Sequence, residues 1–145
     1  EGADHVVDIR QPEWRSAVKE VAPNGVDVVV DPIGDTFTET ALRTLRWGGR
    51  HLIIAFAAAQ IPAIRSNLPL LKGASLVGVD IRQFRELEPT RARENLAETV
   101  AMFANGRLRP RVASVFPAQD WARAIEQARD PSTVGRVVLD WDADR

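Results

Sequence analysis

The sequence predicts an α/β fold in which a parallel β-sheet is flanked by helices. Three observations predict it. Val26, Val28, Val29 and Val30 are apolar on both strand faces, which fits a parallel strand covered on each side, and Pro32 and Gly34 then turn the chain. Thr36 and Glu39 stand at capping-box spacing at the start of a run that puts Phe37, Ala41, Leu42 and Leu45 on one helical face, with Gly48 and Gly49 as its stop. Arg50 to Phe56 supplies a second apolar strand, so strand, helix and strand fall within about thirty residues, the length of a βαβ unit.

The other elements follow in chain order. Val6 to Ile9 reads as a short opening strand. Pro12 suits an early helix position ahead of the stripe Trp14, Val18 and Val21, and Pro23, Asn24 and Gly25 end that helix. Ala57 to Asn67 is a surface connection, Leu68 to Leu71 makes one apolar turn, and Gly73 resets the chain. Leu76, Val77 and Val79 form the next strand; a glycine inside it, Gly78, marks a bulge or a place where another molecule comes close. Pro89 opens the longest helix, with Leu96, Val100 and Phe103 on one face and Asn105 and Gly106 at its end. Val112 to Phe116 is a strand. The helix after Pro117 carries the stripe Trp121, Ala124, Ile125 and Ala128, and Val137 to Leu139 closes the fold as a last strand before a polar tail from Asp142.

Composition narrows the function classes. With 145 residues, 45% of them apolar, the chain is one domain or part of a larger one with a genuine core. A formal charge of −1 provides no basic field for nucleic acid. Cysteine is absent and histidine occurs only at His5 and His51, which leaves neither a disulfide framework nor a zinc site of the usual Cys/His kind. The longest apolar tract, Leu52 to Ala59, is too short to span a bilayer, so a soluble cytoplasmic protein without membrane partners is expected. The chain opens at Glu1 without methionine and runs directly toward a strand, which reads as a piece of something longer.

Five segments carry a family likeness: the opening GADHVVD, the strand and turn GVDVVVDPIG, the turn and strand WGGRHLIIAFA, the stretch NLPLLKGASLVGV, and the closing FPAQDWARAIEQARDPSTVGRVVL. In this order and spacing the chain resembles the medium-chain dehydrogenase/reductase superfamily, in its quinone-oxidoreductase-like branch, a relative of the zinc-type alcohol dehydrogenases. The likeness covers nearly the whole chain. It implies that residues 1–141 are the C-terminal portion of a dinucleotide-binding domain, a partial Rossmann-like parallel sheet lacking its first two strands, with 142–145 a polar tail. It further implies an oxidoreductase parent, with NADP favoured over NAD, passing hydride to or from a small-molecule quinone, enone or carbonyl/alcohol substrate.

In such folds the dinucleotide lies across the carboxyl ends of the strands. By resemblance, Asp31, Pro32 and Gly34 border the adenosine side, Ile54, Ala55 and Phe56 line the nicotinamide, and Gly78 and Val79 offer main-chain groups to the carboxamide. Arg136, just before the last strand, stands where the family carries a basic residue near the pyrophosphate, and a guanidinium matches phosphate oxygens geometrically. Asn67 resembles a position near the subunit contact. Asp80 departs from the family, where many relatives carry an aromatic residue. The four tryptophans read as packing residues, and no residue reads as a catalytic acid, base or metal ligand.

The glycine-rich pyrophosphate loop and the residue that discriminates NAD from NADP do not occur in this sequence, so the chain alone is expected to be inactive. In the strand order 3-2-1-4-5-6 the missing strands separate the Val6 strand from the Val26 strand. The expected consequences are an open edge, a rearranged sheet or strands borrowed from another copy. A homodimer through the strand Leu76 to Val79 is the expected state by resemblance. Two alternatives stand beside this reading: a methyltransferase-like Rossmann protein, whose usual strand order ends in an antiparallel hairpin, and a non-catalytic module that only binds nucleotide or only associates.

Overall fold

The structure, a computed structural model, describes residues 2–58 and 60–142. The chain divides into two compact units, one ending at Phe84 and the other beginning at Arg85. The first contains α1 (Trp14–Val21), β1 (Val26–Asp31), α2 (Asp35–Leu42), β2 (Leu45–Ile53), α3 (Asn67–Lys72) and β3 (Ser75–Gly78). Its strands form one parallel sheet in the order β1-β2-β3, with Val29, His51 and Leu76 side by side in register. The βαβ unit expected from the valine run is therefore present.

The core of this unit sits on one face of the sheet. Leu42 of α2, Leu45 of β2 and Leu68 of α3 are buried together, with Val26, Val29, Ile64 and Ala74 packed against them. Burial of each leucine stabilises the unit by about 1.5–3 kcal/mol. Trp14 stacks on Phe37 at 5.2 Å between ring centroids, joining α1 to α2. The other face differs from expectation. Val28 and Val30 are 38% and 57% exposed, so β1 is covered on one side only among the described residues.

Three further expectations are corrected. Val6 to Ile9 is not a strand: Val6 is 90% exposed, and Asp8 instead accepts bonds from the Arg10 N–H and guanidinium. A strand exists only where a neighbour takes up its ladder bonds, and a local Asx turn supplies the alternative. The capping box does not form either. Helix α2 begins two residues earlier than a Thr36 cap would start it, capped by Gly34 without a side-chain bond, and Glu39 is drawn away to Arg43 and Arg65 at 2.8 and 2.6 Å. Finally, Gly48 and Gly49 do not stop α2. The helix ends at Leu42, Thr44 Oγ1 donates to the Ala41 carbonyl at 2.7 Å, and β2 starts at Leu45 and runs through both glycines. Leu45 thus serves the core from a strand, and Phe56 lies beyond the strand end.

α4 (Ile81–Leu87) was not anticipated. Its signal was Asp80, whose Oδ1 accepts the N–H groups of Arg82 and Gln83 at 2.9 and 3.0 Å, the work of a helix-capping carboxylate. These two N–H groups, Gln83 first, hold Asp80 below its ordinary pKa. The residue that departs from the family pattern thus has a local structural role.

The second unit contains α5 (Pro89–Ala104), β4 (Val112–Pro117), α6 (Trp121–Arg129), entered through one 3-10 turn, and β5 (Arg136–Asp140). β4 and β5 pair in parallel, with α6 as the crossover. Ser114 Oγ donates to the Gln127 side chain at 2.9 Å, and Thr133 Oγ1 to the Gln127 carbonyl at 2.8 Å, so one glutamine ties α6 to the strand before it and the turn after it. A parallel closing pair contradicts the antiparallel hairpin of the methyltransferase-like alternative. The expected single sheet is present as a three-stranded and a two-stranded parallel sheet. Of the polar tail, residues 143–145 lie outside the described residues.

Candidate functional site

The turn after β1 is built around Asp31. Its carboxylate is 1% exposed and accepts four hydrogen bonds. The N–H groups of Ile33 and Gly34 reach Oδ1 at 2.8 and 3.1 Å, while the Thr38 hydroxyl at 2.6 Å and His51 Nε2 at 3.0 Å reach Oδ2. Burial opposes ionisation of this group. The bonds from Thr38, Gly34, Ile33 and His51 outweigh it and hold the pKa below its ordinary value. His51 Nε2 donates to this carboxylate, and its buried Nδ1 has no protein partner among the described residues. Thr38 and His51 escaped the sequence reading.

This turn is laced to the segment after β2. Ile54 N–H donates to the Asp31 carbonyl at 3.1 Å, Ala57 N–H to Pro32 at 2.9 Å, and Ala58 N–H to Ile33 at 2.9 Å. Asp35 N–H donates to Gln60 at 3.0 Å, and Val79 N–H to the Ile53 carbonyl at 3.0 Å. Eight of the nine expected cofactor residues, Asp31, Pro32, Gly34, Ile54, Ala55, Phe56, Gly78 and Val79, therefore lie along the carboxyl edge of one parallel sheet. Gly34 is buried against the Phe56 ring. Ile54, Phe56 and Val79 are 44%, 40% and 38% exposed, and a Cβ added at Gly78 would meet nothing within 4 Å. Among the described residues no packing calls for glycine there, and the space over its backbone is open.

Arg136 belongs to the second unit. It opens β5 with its side chain exposed, and its backbone N–H donates to the Arg111 carbonyl at 2.8 Å. A groove of about 450 Å³ beside the α2 N-terminus is lined by Asp35, Glu39, Gln60 and Ile61 among others. Its two carboxylates and lack of a cation do not suit a pyrophosphate.

A parallel sheet with βαβ connections, whose carboxyl edge gathers a glycine-bearing turn and an uncovered strand-end glycine, is an α/β domain of the Rossmann-like type. The family model described as zinc-binding dehydrogenase matches residues 1–139, and the chain belongs to that family, within the quinone-oxidoreductase-like medium-chain dehydrogenase/reductases. Quinone oxidoreductase-like protein 2 of Mus musculus is 30% identical over 140 residues, covering 95% of this chain and 40% of the relative. The homologous protein of Nematostella vectensis is 26% identical, over 95% of this chain and 38% of the relative. A solved structure of a probable oxidoreductase from Mycobacterium abscessus superposes with a TM-score of 0.77 at 33% identity, covering 95% of this chain and 40% of that one. The chain thus spans about 40% of the length of the curated relatives it matches.

The family's description raises the question of zinc. This chain has no cysteine, one of its two histidines is engaged with Asp31, and the described residues hold no group of three His, Cys, Asp or Glu able to take a metal ion. The residues present do not fit zinc. Among the described residues no helix is long and apolar enough to cross a membrane.

Proposed function

We propose that this chain is the C-terminal portion of the cofactor-binding domain of an NAD(P)H-dependent oxidoreductase, acting on a quinone, enone or carbonyl/alcohol substrate. One observation carries the reading: the carboxyl edge of the parallel sheet gathers Gly34, Phe56, Gly78 and Val79, with the Gly78 backbone uncovered. A nicotinamide dinucleotide bound there supplies the hydride chemistry. Ile54, Ala55 and Phe56 form an apolar wall for the nicotinamide ring, and Gly78 and Val79 present main-chain groups to its carboxamide. Asp31 works from beneath as a positioning residue, holding Ile33 and Gly34 in the turn that borders the adenosine side. Arg136 is the side chain proposed for phosphate contact. The parent acts as a homodimer and, by resemblance, prefers NADP.

Titrating the chain with NADPH and then NADH, while following tryptophan emission, tests this reading. Saturable quenching at submillimolar cofactor, with NADPH the tighter ligand, is expected. Absence of any response to millimolar cofactor would leave a module that only associates.

A further inference from the structure

At the opposite end of the same sheet, where β1 and β2 begin, α1, α2 and α3 converge on a concave pocket of about 180 Å³. Pro23, Asn24 and Gly25, the turn between α1 and β1, are among its lining residues. Four cations line it, Arg15, Lys19, Arg43 and Lys72, and no carboxylate does. We propose that this pocket binds a small oxyanion of the phosphate class.

The charge is local and comes from independent elements. The chain as a whole is formally −1, yet this one concavity draws Arg15 and Lys19 from α1, Arg43 from the end of α2 and Lys72 from the last turn of α3. Arg15 and Lys19 are four residues apart and share a helical face, an arrangement that like charges oppose. Neither side chain has a hydrogen bond or ion pair among the described residues. Arg43 spends Nη2 on Glu39, at 2.8 Å, and Lys72 one proton on the Leu45 carbonyl, at 2.9 Å. Each keeps further N–H groups, because a guanidinium has five and an ammonium three.

Size and setting select the ligand. The cavity is several times the roughly 30 Å³ share of one water and below the roughly 300 Å³ at which pockets for drug-sized ligands begin. Guanidinium and ammonium groups together suit a compact tetrahedral anion with several acceptor oxygens. Because the pocket lies at the amino ends of the strands, it is separate from the carboxyl edge proposed for the dinucleotide.

The test is an amide NMR titration of the chain with inorganic phosphate, against sodium chloride at matched ionic strength. Saturable shifts centred on Arg15, Lys19, Gly25 and Thr44 are expected with phosphate and not with chloride. The double variant Arg15→Gln, Lys19→Gln keeps good helix formers at exposed positions. It should bind phosphate at least several-fold more weakly with an unchanged circular dichroism spectrum. Equal shifts with chloride, no saturation, or undiminished binding by the double variant would overturn the proposal. A parallel NADPH titration read at Gly34, Phe56 and Gly78 reports on the other edge, so the two sites stand or fall separately.

Discussion

Asp31 shows how a single carboxylate organises the turn after β1. Its four bonds come from two backbone N–H groups, a hydroxyl and an imidazole, and together they outweigh the burial that would otherwise raise its pKa. A folded-state pKa below the unfolded one means that the ionised carboxylate stabilises the fold. This contribution is fully present above the ordinary value of 3.8 and is lost as pH falls through the lower folded value. Asp31→Asn should therefore cost about 1–3 kcal/mol at neutral pH, the range for disturbing a buried hydrogen-bonded polar group. The deficit should shrink as the pH is taken below about 4, where the unfolded carboxyl is protonated. Urea unfolding of both proteins at pH 7 and near pH 3 measures this. An equal difference at the two pH values would show that the charge of Asp31 contributes nothing.

Connections between elements place three glycines under different constraints. Gly25 joins α1 to β1 at φ +86°, and a Cβ there would lie 2.6 Å from Arg46 N and 2.7 Å from Leu45 C, backbone atoms that cannot give way. Gly34 caps α2 at φ +80° and ψ −150°, a region nearly confined to glycine, but its nearest obstacle at 2.9 Å is the movable ring edge of Phe56. Gly78 has ordinary φ and open space. Replacement by alanine should cost about 2–4 kcal/mol at Gly25, about 1–3 at Gly34 and under about 0.5 at Gly78. Gly78→Ala should nonetheless weaken NADPH binding several-fold, because its methyl group enters the space proposed for the carboxamide. Unfolding curves and cofactor titrations on the three variants give both quantities, and an unaffected cofactor affinity in Gly78→Ala would remove that glycine from the site. The same elements show what was legible beforehand. The valine run and the Pro32 and Gly34 turn announced β1 and its exit, since both signals are local. The start of β2 was not legible, because Leu45 is claimed by a core that forms only after folding. Thr38 and His51 lie seven and twenty residues from Asp31, so only the βαβ crossover reveals their meeting.

Taken unit by unit, apolar surface and open strand edges outrun what the described residues of each unit cover. The second unit buries only Ala124 among its described apolar residues, while Leu96, Val100 and Phe103 along α5 are 61%, 58% and 58% exposed. A two-stranded sheet is marginal without further packing. In the first unit β1 and β3 are both edges, carrying Val28, Val30, Leu76 and Val77 at 37–57% exposure. Unpaired ladder groups beside exposed β-branched residues template association. The apparent mass in sedimentation velocity should therefore rise with protein concentration. Lysine on an edge strand opposes such pairing, so Val77→Lys should lower the association if copies meet through β3. Val30→Lys should do so if they meet through β1. A mass that stays monomeric at every concentration would refute association, and equal association by both lysine variants would place the contact away from this sheet. If Val77→Lys alone disperses the assembly, the homodimer expected through the strand Leu76 to Val79 gains its first direct support.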